Sequence, residues 1–413
     1  MTDPTAQARL DLEDAIRRIE TALVPVSETV VLRPEDALGR VLAEPIAAPL
    51  TLPPFPASAM DGYAYAHDRI DPSQPLRVVG TAAAGHPYTG ALEPQTCLRM
   101  LTGASVPDSA DTVVIQENVV RQNDQVQIRS LPERGANIRA VGQEVVAGQQ
   151  LLPAGTRLNA FHLGLLASVG LTELTVRRCI RVQLVSTGDE LVPAGSKLEP
   201  GQIFDSNRAL LTALLSREDV TIERSVHLRD DADATAQALN AAGHSDLLIT
   251  SGGVSVGDSD YIGRALAERG SLNFWRLNLK PGKPVAFGRI GDCWMLGLPG
   301  NPVSTAITAL LLVLPALRRL SGEPAQPLLR VAATLTHPIR HNPGRTEFQR
   351  GVLEQRSSDS GARELIVTPT GDQSSNRLST FSAANCLIEI DKSAGDLDAG
   401  TRVHTLPLGG LLG

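Results

Sequence analysis

Three short glycine-bearing loops, each placed directly after an apolar run, constrain this chain more than any other feature. They are Ser186-Thr187-Gly188-Asp189-Glu190, Ser251-Gly252-Gly253-Val254-Ser255-Val256-Gly257-Asp258 and Leu298-Pro299-Gly300-Asn301-Pro302-Val303-Ser304. They lie in a region, from about Arg178 to Leu320, where strand and helix patterns alternate. Strands are expected at Ile180–Ser186, Thr221–Leu228, Leu247–Ser251 and Trp294–Leu298. Helices are expected at Ser206–Ser216, Ala232–Ala242, Tyr261–Glu268 and Val303–Leu320. Such alternation implies a doubly wound, mostly parallel α/β sheet covered on both faces. Parallel topology gathers strand C-termini at one edge, where open α/β sheets bind ligands.

Glycines at that edge let backbone N–H groups approach an anion, and the following helix N-termini add free donors and a favourable dipole. One such loop reads most simply as a tight turn. Three on one edge favour a site for a phosphate or a pterin. Neither GxGxxG nor a Walker loop is present, so dinucleotide and P-loop sites find no support. The same edge carries Asp189, Glu190, Asp230, Asp258 and Asp260. Carboxylates repel phosphate, so a shared cleft calls for a divalent cation, with Mg²⁺ the natural choice. Helix capping is the competing role for Asp258. Lys280-Pro281-Gly282-Lys283-Pro284 holds two ammonium groups in a stiff turn, an arrangement that suits a tetrahedral oxyanion.

The rest of the chain has a different character. At 413 residues it calls for several domains. Asp3 and Pro4 can open a helix continued by Leu12, Ala15, Ile16, Ile19 and Leu23, ended by Pro25. A short helix is expected at Pro34, and another over Asn159–Ser168 with Gly170 as its stop. Residues 1–46 and 143–178 are thus read as one discontinuous helical linker domain. Residues 47–142, rich in Pro and Gly with short alternating runs at Leu76–Val79, Thr112–Ile115 and Gln125–Ile128, are read as an inserted β-rich domain. The stiff, apolar Pro53–Tyr63 stretch reads as an ordered loop, and Thr102 alone says nothing. Residues 179–325 form the α/β domain and 326–413 a C-terminal β domain, a barrel by expectation.

Several classes of protein are disfavoured. A net charge of −7 argues against a general nucleic-acid binder. Cys97, Cys179, Cys293 and Cys386 lie far apart, with no CxxC pair, as expected of reduced thiols rather than a zinc knuckle. The eight histidines show no HxxxH or HExxH spacing. The polar start resembles no signal peptide, and the apolar run Ala306–Leu317 is short for a membrane span. A cytoplasmic location is the expectation.

Taken in order, Ser58-Ala59-Met60-Asp61-Gly62-Tyr63, Thr102-Gly103-Ala104, Ser186–Leu191, Ser251–Gly257, Lys280–Pro284 and Gly297–Pro302 resemble the molybdopterin molybdenumtransferases, the family of MoeA and the gephyrin E-domain. The resemblance covers nearly the whole chain. It implies an elongated homodimer of four-domain subunits, with an α/β domain like that of molybdopterin adenylyltransferases and a C-terminal β-barrel. The cleft would lie between the α/β domain of one subunit and the inserted domain of the other. It implies that adenylylated molybdopterin and molybdate react with Mg²⁺ to give molybdenum cofactor and AMP.

Carried onto this chain, Asp61, Thr102, Glu190, Asp230 and Asp260 are the candidate catalytic residues, with Glu190, Asp230 and Asp260 as metal or substrate ligands. Ser251, Gly252, Gly253, Ser255, Pro299, Gly300, Asn301 and Pro302 would bind substrate. Lys280 and Lys283, with Arg345 and Ser375, would bind the oxyanion. Partners implied are a molybdopterin adenylyltransferase and molybdoenzyme apoproteins or chaperones. Two departures stand out: Arg276 replaces a common Lys, and Pro56-Ala57 replaces a frequent Asp-Asn. Two other functions stay open, an adenylyltransferase acting one step earlier and a gephyrin-like dimeric scaffold.

Overall fold

The computed structural model describes residues 9–254, 266, 270–357, 361 and 363–412. The expected cap at Asp3, the loop residues Ser255, Asp258 and Asp260, and nearly all of the Tyr261–Glu268 helix lie outside them.

The α/β sheet has six strands in the order Val220–Leu228, Ile180–Thr187, Leu247–Ser251, Cys293–Leu298, Pro284–Ile290, Gly270–Arg276. The first four are parallel, and the last two are joined by antiparallel pairing, with Pro284–Ile290 running against both of its neighbours. Those two were not legible in the sequence, and the Lys280–Lys283 bend lies in the connection between them. Alternate side chains serve opposite faces, as the strand period of two requires. Leu247 and Ile249 join a core with the helices Ser206–Leu214 and Leu314–Ser321. Leu248 and Met295 join a second core beneath the helix Ala232–Ala241. Ile180–Thr187 leads on to Val220–Leu228 on one side, and Leu247–Ser251 leads on to the strands on the other. The switch point therefore lies between the C-termini of Ile180–Thr187 and Leu247–Ser251.

The long helix runs from Pro302 to Ser321 with one widened turn over Ala309–Val313. Pro315 has no N–H to donate, and a widened turn next to it accommodates that loss. By length this helix exceeds the short apolar run read from sequence. It has the length and composition to cross a membrane, yet 89% of its apolar window is buried inside the protein.

The N-terminal reading needs one correction. The helix Leu12–Ala22 does not build a helical linker domain. Its stripe Leu12, Ala15, Ile16 and Ile19 packs into the α/β core. What joins the two distant segments is mainly β pairing: Thr29–Leu32 lies antiparallel to Leu174–Arg177, and Ile46–Ala47 to Gln150–Leu152. The helix Ala160–Ser168, capped by Asn159, and a single turn at Pro34–Asp36 complete that unit. From it the chain departs to form a six-stranded sheet, ordered Thr112–Ile115, Gly62–Tyr65, Thr96–Met100, Leu76–Ala82, Gln125–Ile128, Val119–Gln122.

After the long helix, five strands close on themselves. Thr346–Ser357 pairs with Arg363–Pro369, which pairs with Val331–Leu335. That strand pairs with Arg402–Pro407, which pairs with Cys386–Ile390, and the ring closes back on Thr346–Ser357. Closure leaves no free edge within the ring. Leu279–Lys280 adds alongside Thr346–Glu347 and so ties the lysine bend to the barrel.

A buried ion network locks the β-paired unit to the α/β domain. Arg157 Nη2 lies 2.6 Å from both Asp219 Oδ2 and Glu323 Oε1. Burial pushes the Asp219 carboxyl up, but Arg157 and Arg217 more than offset this and hold it below its ordinary value. Arg157→Ala leaves two buried carboxylates without this partner and is expected to cost about 3–5 kcal/mol in urea denaturation. The Asp219 contribution is present above the unfolded carboxyl value of about 4 and is lost as the pH falls through the depressed folded value. The variant should accordingly show a shallower acid dependence of stability than the parent; equal acid profiles would contradict the network.

Candidate functional site

The three glycine loops meet at the sheet rim. Gly252 has φ +88°, and a Cβ there would sit 2.8 Å from the Thr187 carbonyl oxygen and 2.9 Å from Thr187 Oγ1. Gly253 follows at φ +66°. Both conformations suit glycine, and the second loop thereby lies directly against the first. Asn207 ties in the third: its side-chain amide donates to Ser251 Oγ at 2.8 Å and to the Gly300 carbonyl at 2.7 Å. The Gly252 amide donates to the Leu298 carbonyl. Asp205 caps the Ser206–Leu214 helix by accepting from the Arg208 amide, and it also accepts from Ser186 Oγ at 2.6 Å.

Asp205 and Asn207 were missed in the sequence. The signal was there in Asp205-Ser206-Asn207, a capping sequence at a helix start, but nothing marked it as pointing to the rim. Among the described residues, Thr187 Oγ1, Asn207 Oδ1 and Thr250 Oγ1 are buried without a hydrogen-bond partner. Buried polar atoms are nearly always paired, so unpaired ones at a rim are fit to bind a polar ligand.

On the third loop, the Pro299 carbonyl accepts from Thr305 Oγ1 at 2.6 Å, and Pro302 opens the long helix. Asn301 donates to Ser375 Oγ at 3.1 Å, and the Val303 amide donates to the Ser375 carbonyl at 3.0 Å. Ser375, from the barrel domain, is thus in direct contact with the rim.

Acidic side chains collect where the first glycine loop meets the loop after Val220–Leu228. The Asp230 amide donates to Asp189 Oδ1, and the Glu190 carboxylate folds over Gly188, within 3 Å of where a Cβ would lie. Burial, then the charges of Asp189 and Glu190, push the Asp230 carboxyl above its usual value. These are oxygen donors of the kind that hard cations take. Among the described residues no three His, Cys, Asp or Glu side chains form a ready metal cage. The third expected ligand, Asp260, lies outside the described residues.

The two lysines have separate surroundings. Lys280 Nζ pairs with Glu347 Oε2 at 2.9 Å, and Glu347 also contacts His341 Nδ1 at 2.8 Å. Lys283 instead sits among cations. Arg9, then burial, then Arg276 and Arg345 press its ammonium below its usual value. Gly282, at φ +120°, brings the bend against the long helix, since a Cβ there would lie 2.7 Å from Thr308 Cγ2.

Asp61 and Thr102 pair with each other. Asp61 Oδ1 accepts from Thr102 Oγ1 at 2.7 Å and from the Thr102 amide at 2.8 Å, and these bonds lower its pKa. Among the described residues neither hydrogen-bonds the rim loops of its own chain.

Gly252→Ala and Gly195→Ala test the close approach. Both glycines have φ +88°, but only Gly252 faces a neighbour, Gly195 having open space. The backbone strain, about 1–3 kcal/mol, is common to both. The Gly252 variant should show the larger fall in thermal midpoint; equal falls would contradict the contact.

Residues 10–170 match the "MoeA N-terminal region (domain I and II)", residues 183–319 the "Probable molybdopterin binding domain", and residues 332–408 the "MoeA C-terminal region (domain IV)". A molybdopterin molybdenumtransferase of Haemophilus influenzae is 36% identical over 98% of this chain and 100% of its own length. Molybdopterin molybdenumtransferase 2 of Mycobacterium tuberculosis is 32% identical, over 95% of this chain and 98% of its own. The crystal structure of a molybdopterin biosynthesis MoeA protein from Pyrococcus horikosii superposes with a TM-score of 0.77 at 28% identity, covering 97% of this chain and 99% of that one. The chain belongs to the MoeA family of molybdopterin molybdenumtransferases.

Proposed function

We propose that this protein inserts molybdate into adenylylated molybdopterin, forming molybdenum cofactor and releasing AMP. The observation that carries the reading is the meeting of three glycine loops at the switch point, with buried polar atoms left to pair, beside an acidic loop. The full-length match to molybdenumtransferases supports it over an adenylyltransferase, whose chemistry would consume ATP with free molybdopterin. It also supports an enzyme over a pure scaffold.

In this reading, Ser251, Gly252, Gly253, Pro299, Gly300, Asn301 and Pro302 hold the pterin nucleotide. Thr187, Asn207 and Thr250 offer the unpaired polar atoms. Glu190, Asp230 and Asp260 hold Mg²⁺, which would neutralise the adenylate phosphates. Lys283 and Arg345, with Ser375 at the rim and Lys280 restrained by Glu347, place molybdate. Positioning and electrostatic stabilisation supply the rate, and no nucleophilic side chain is needed.

The protein is read as a cytoplasmic homodimer. The helix Ala160–Ser168 supports this: it is apolar on nearly all sides but buries only Leu166, and Phe161 is 88% exposed. An apolar helix face of this kind favours burial against a second copy. Asp61 and Thr102, unpaired with their own rim, would then complete the partner's cleft. The product would pass to molybdoenzyme apoproteins or their chaperones.

Two experiments test this. Glu190→Gln should slow molybdate-dependent AMP release on the order of 10²-fold; undiminished turnover would remove Glu190 from the reaction. Light scattering should give the mass of two chains for the parent and of one for Phe161→Glu; an unchanged mass would place the interface elsewhere.

A further inference from the structure

The segment Arg9–Asp11 lies beside the lysine bend as a short strand. Leu10 bridges Leu277 in parallel fashion, its amide donating to the Arg276 carbonyl and its carbonyl accepting from the Asn278 amide. In paired strands, residues flanking a matched pair share a face. The far flank shows this directly, since Asn278 Nδ2 donates to Asp11 Oδ1 at 3.1 Å. The near flank consequently sets Arg9 beside Arg276.

Arg276–Asn278 in turn carries the other cations. The Leu277 amide donates to the Lys283 carbonyl, and the Asn278 carbonyl accepts from the Thr346 amide, next to Arg345. Four cationic residues therefore sit on backbone segments bonded to one another: Arg9, Arg276, Lys283 and Arg345. The acids on the same segments are engaged elsewhere. Asp11 pairs with Lys392 of the barrel, and Glu347 with Lys280 and His341. Cations so gathered repel one another, as the lowered ammonium of Lys283 reflects, and a multivalent anion relieves that repulsion. Lys392 also accepts the Gly344 amide through its carbonyl. The Asp11–Lys392 pair thus anchors the N-terminal strand to the very turn that presents Arg345.

We infer that Arg9 is a fourth cation of the oxyanion subsite, brought there by the N-terminal strand, and that it strengthens binding of a tetrahedral dianion such as molybdate. This rests on the reading of the Lys283 cluster as the oxyanion side of the cleft. Arg9 acts by charge and reach, so lysine preserves much of its effect and alanine does not. The effect is screened by salt, because the cluster faces solvent.

The test is the apparent molybdate KM of the full chain at saturating adenylylated molybdopterin, for the parent, Arg9→Ala, Arg9→Lys and Lys283→Ala. Arg9→Ala should raise KM about 3- to 10-fold, matching one exposed charge interaction of about 1 kcal/mol. It should raise KM proportionally more than it lowers kcat. Arg9→Lys should recover most of the loss, and added salt should narrow the gap. A raised KM in Lys283→Ala with an unchanged one in Arg9→Ala would overturn the role of Arg9 alone. Unchanged values in both would overturn the oxyanion reading of the cluster as well. Thermal midpoints of the variants, expected close to the parent's, separate loss of charge from loss of fold.

Discussion

The structure of the site depends on one close approach, that of Gly252 to the carbonyl of Thr187. No side chain fits there. That contact lets the loops after two neighbouring parallel strands touch at the point where their connections diverge. Asn207 then reaches from the next helix to Ser251 and Gly300 and draws in the third loop. A rim built this way offers backbone donors and helix N-termini, which favour anions without any local excess of positive charge. In the proposed function, this is how a chain with a net charge of −7 holds a phosphorylated ligand.

Charge is sorted around that rim. Asp189 and Glu190 on one loop crowd Asp230 on the next, enough to raise the Asp230 carboxyl. Lys283, Arg276, Arg345 and Arg9 crowd the bend between the antiparallel strands. Each cluster stores repulsion that an ion of opposite sign relieves. In the proposed function the acidic one takes a divalent cation and the basic one an oxyanion. The barrel contributes to this arrangement: Ser375 bonds the third loop, Glu347 restrains Lys280, and Lys392 holds the N-terminal strand. The buried Arg157 network performs the matching task on the opposite side of the α/β domain.

Much of the α/β fold was legible in the sequence because strands such as Leu247–Ser251 are apolar on both faces and end in glycine. Gly270–Arg276 and Pro284–Ile290 were not, since their composition carries no such pattern and they gain order from neighbours. Leu12–Ala22 was legible as a helix, but its destination was not. An apolar stripe states that a helix is buried, not against which core. The candidate residues at the rim were legible through glycine and proline. Asp205 escaped because capping explains it fully at the local level, and Asn207 because its partners Ser251 and Gly300 lie far away in the chain. Lys280 and Lys283 looked equivalent in sequence, and only tertiary structure sets one against Glu347 and the other among arginines.

The claim that the three loops form a single ligand-binding rim is tested most directly by amide hydrogen exchange with and without adenylylated molybdopterin. The account predicts slowed exchange together in segments 186–192, 250–254 and 297–303, with little change in the barrel strands. Protection confined to one of these loops, or found only elsewhere in the chain, would contradict it.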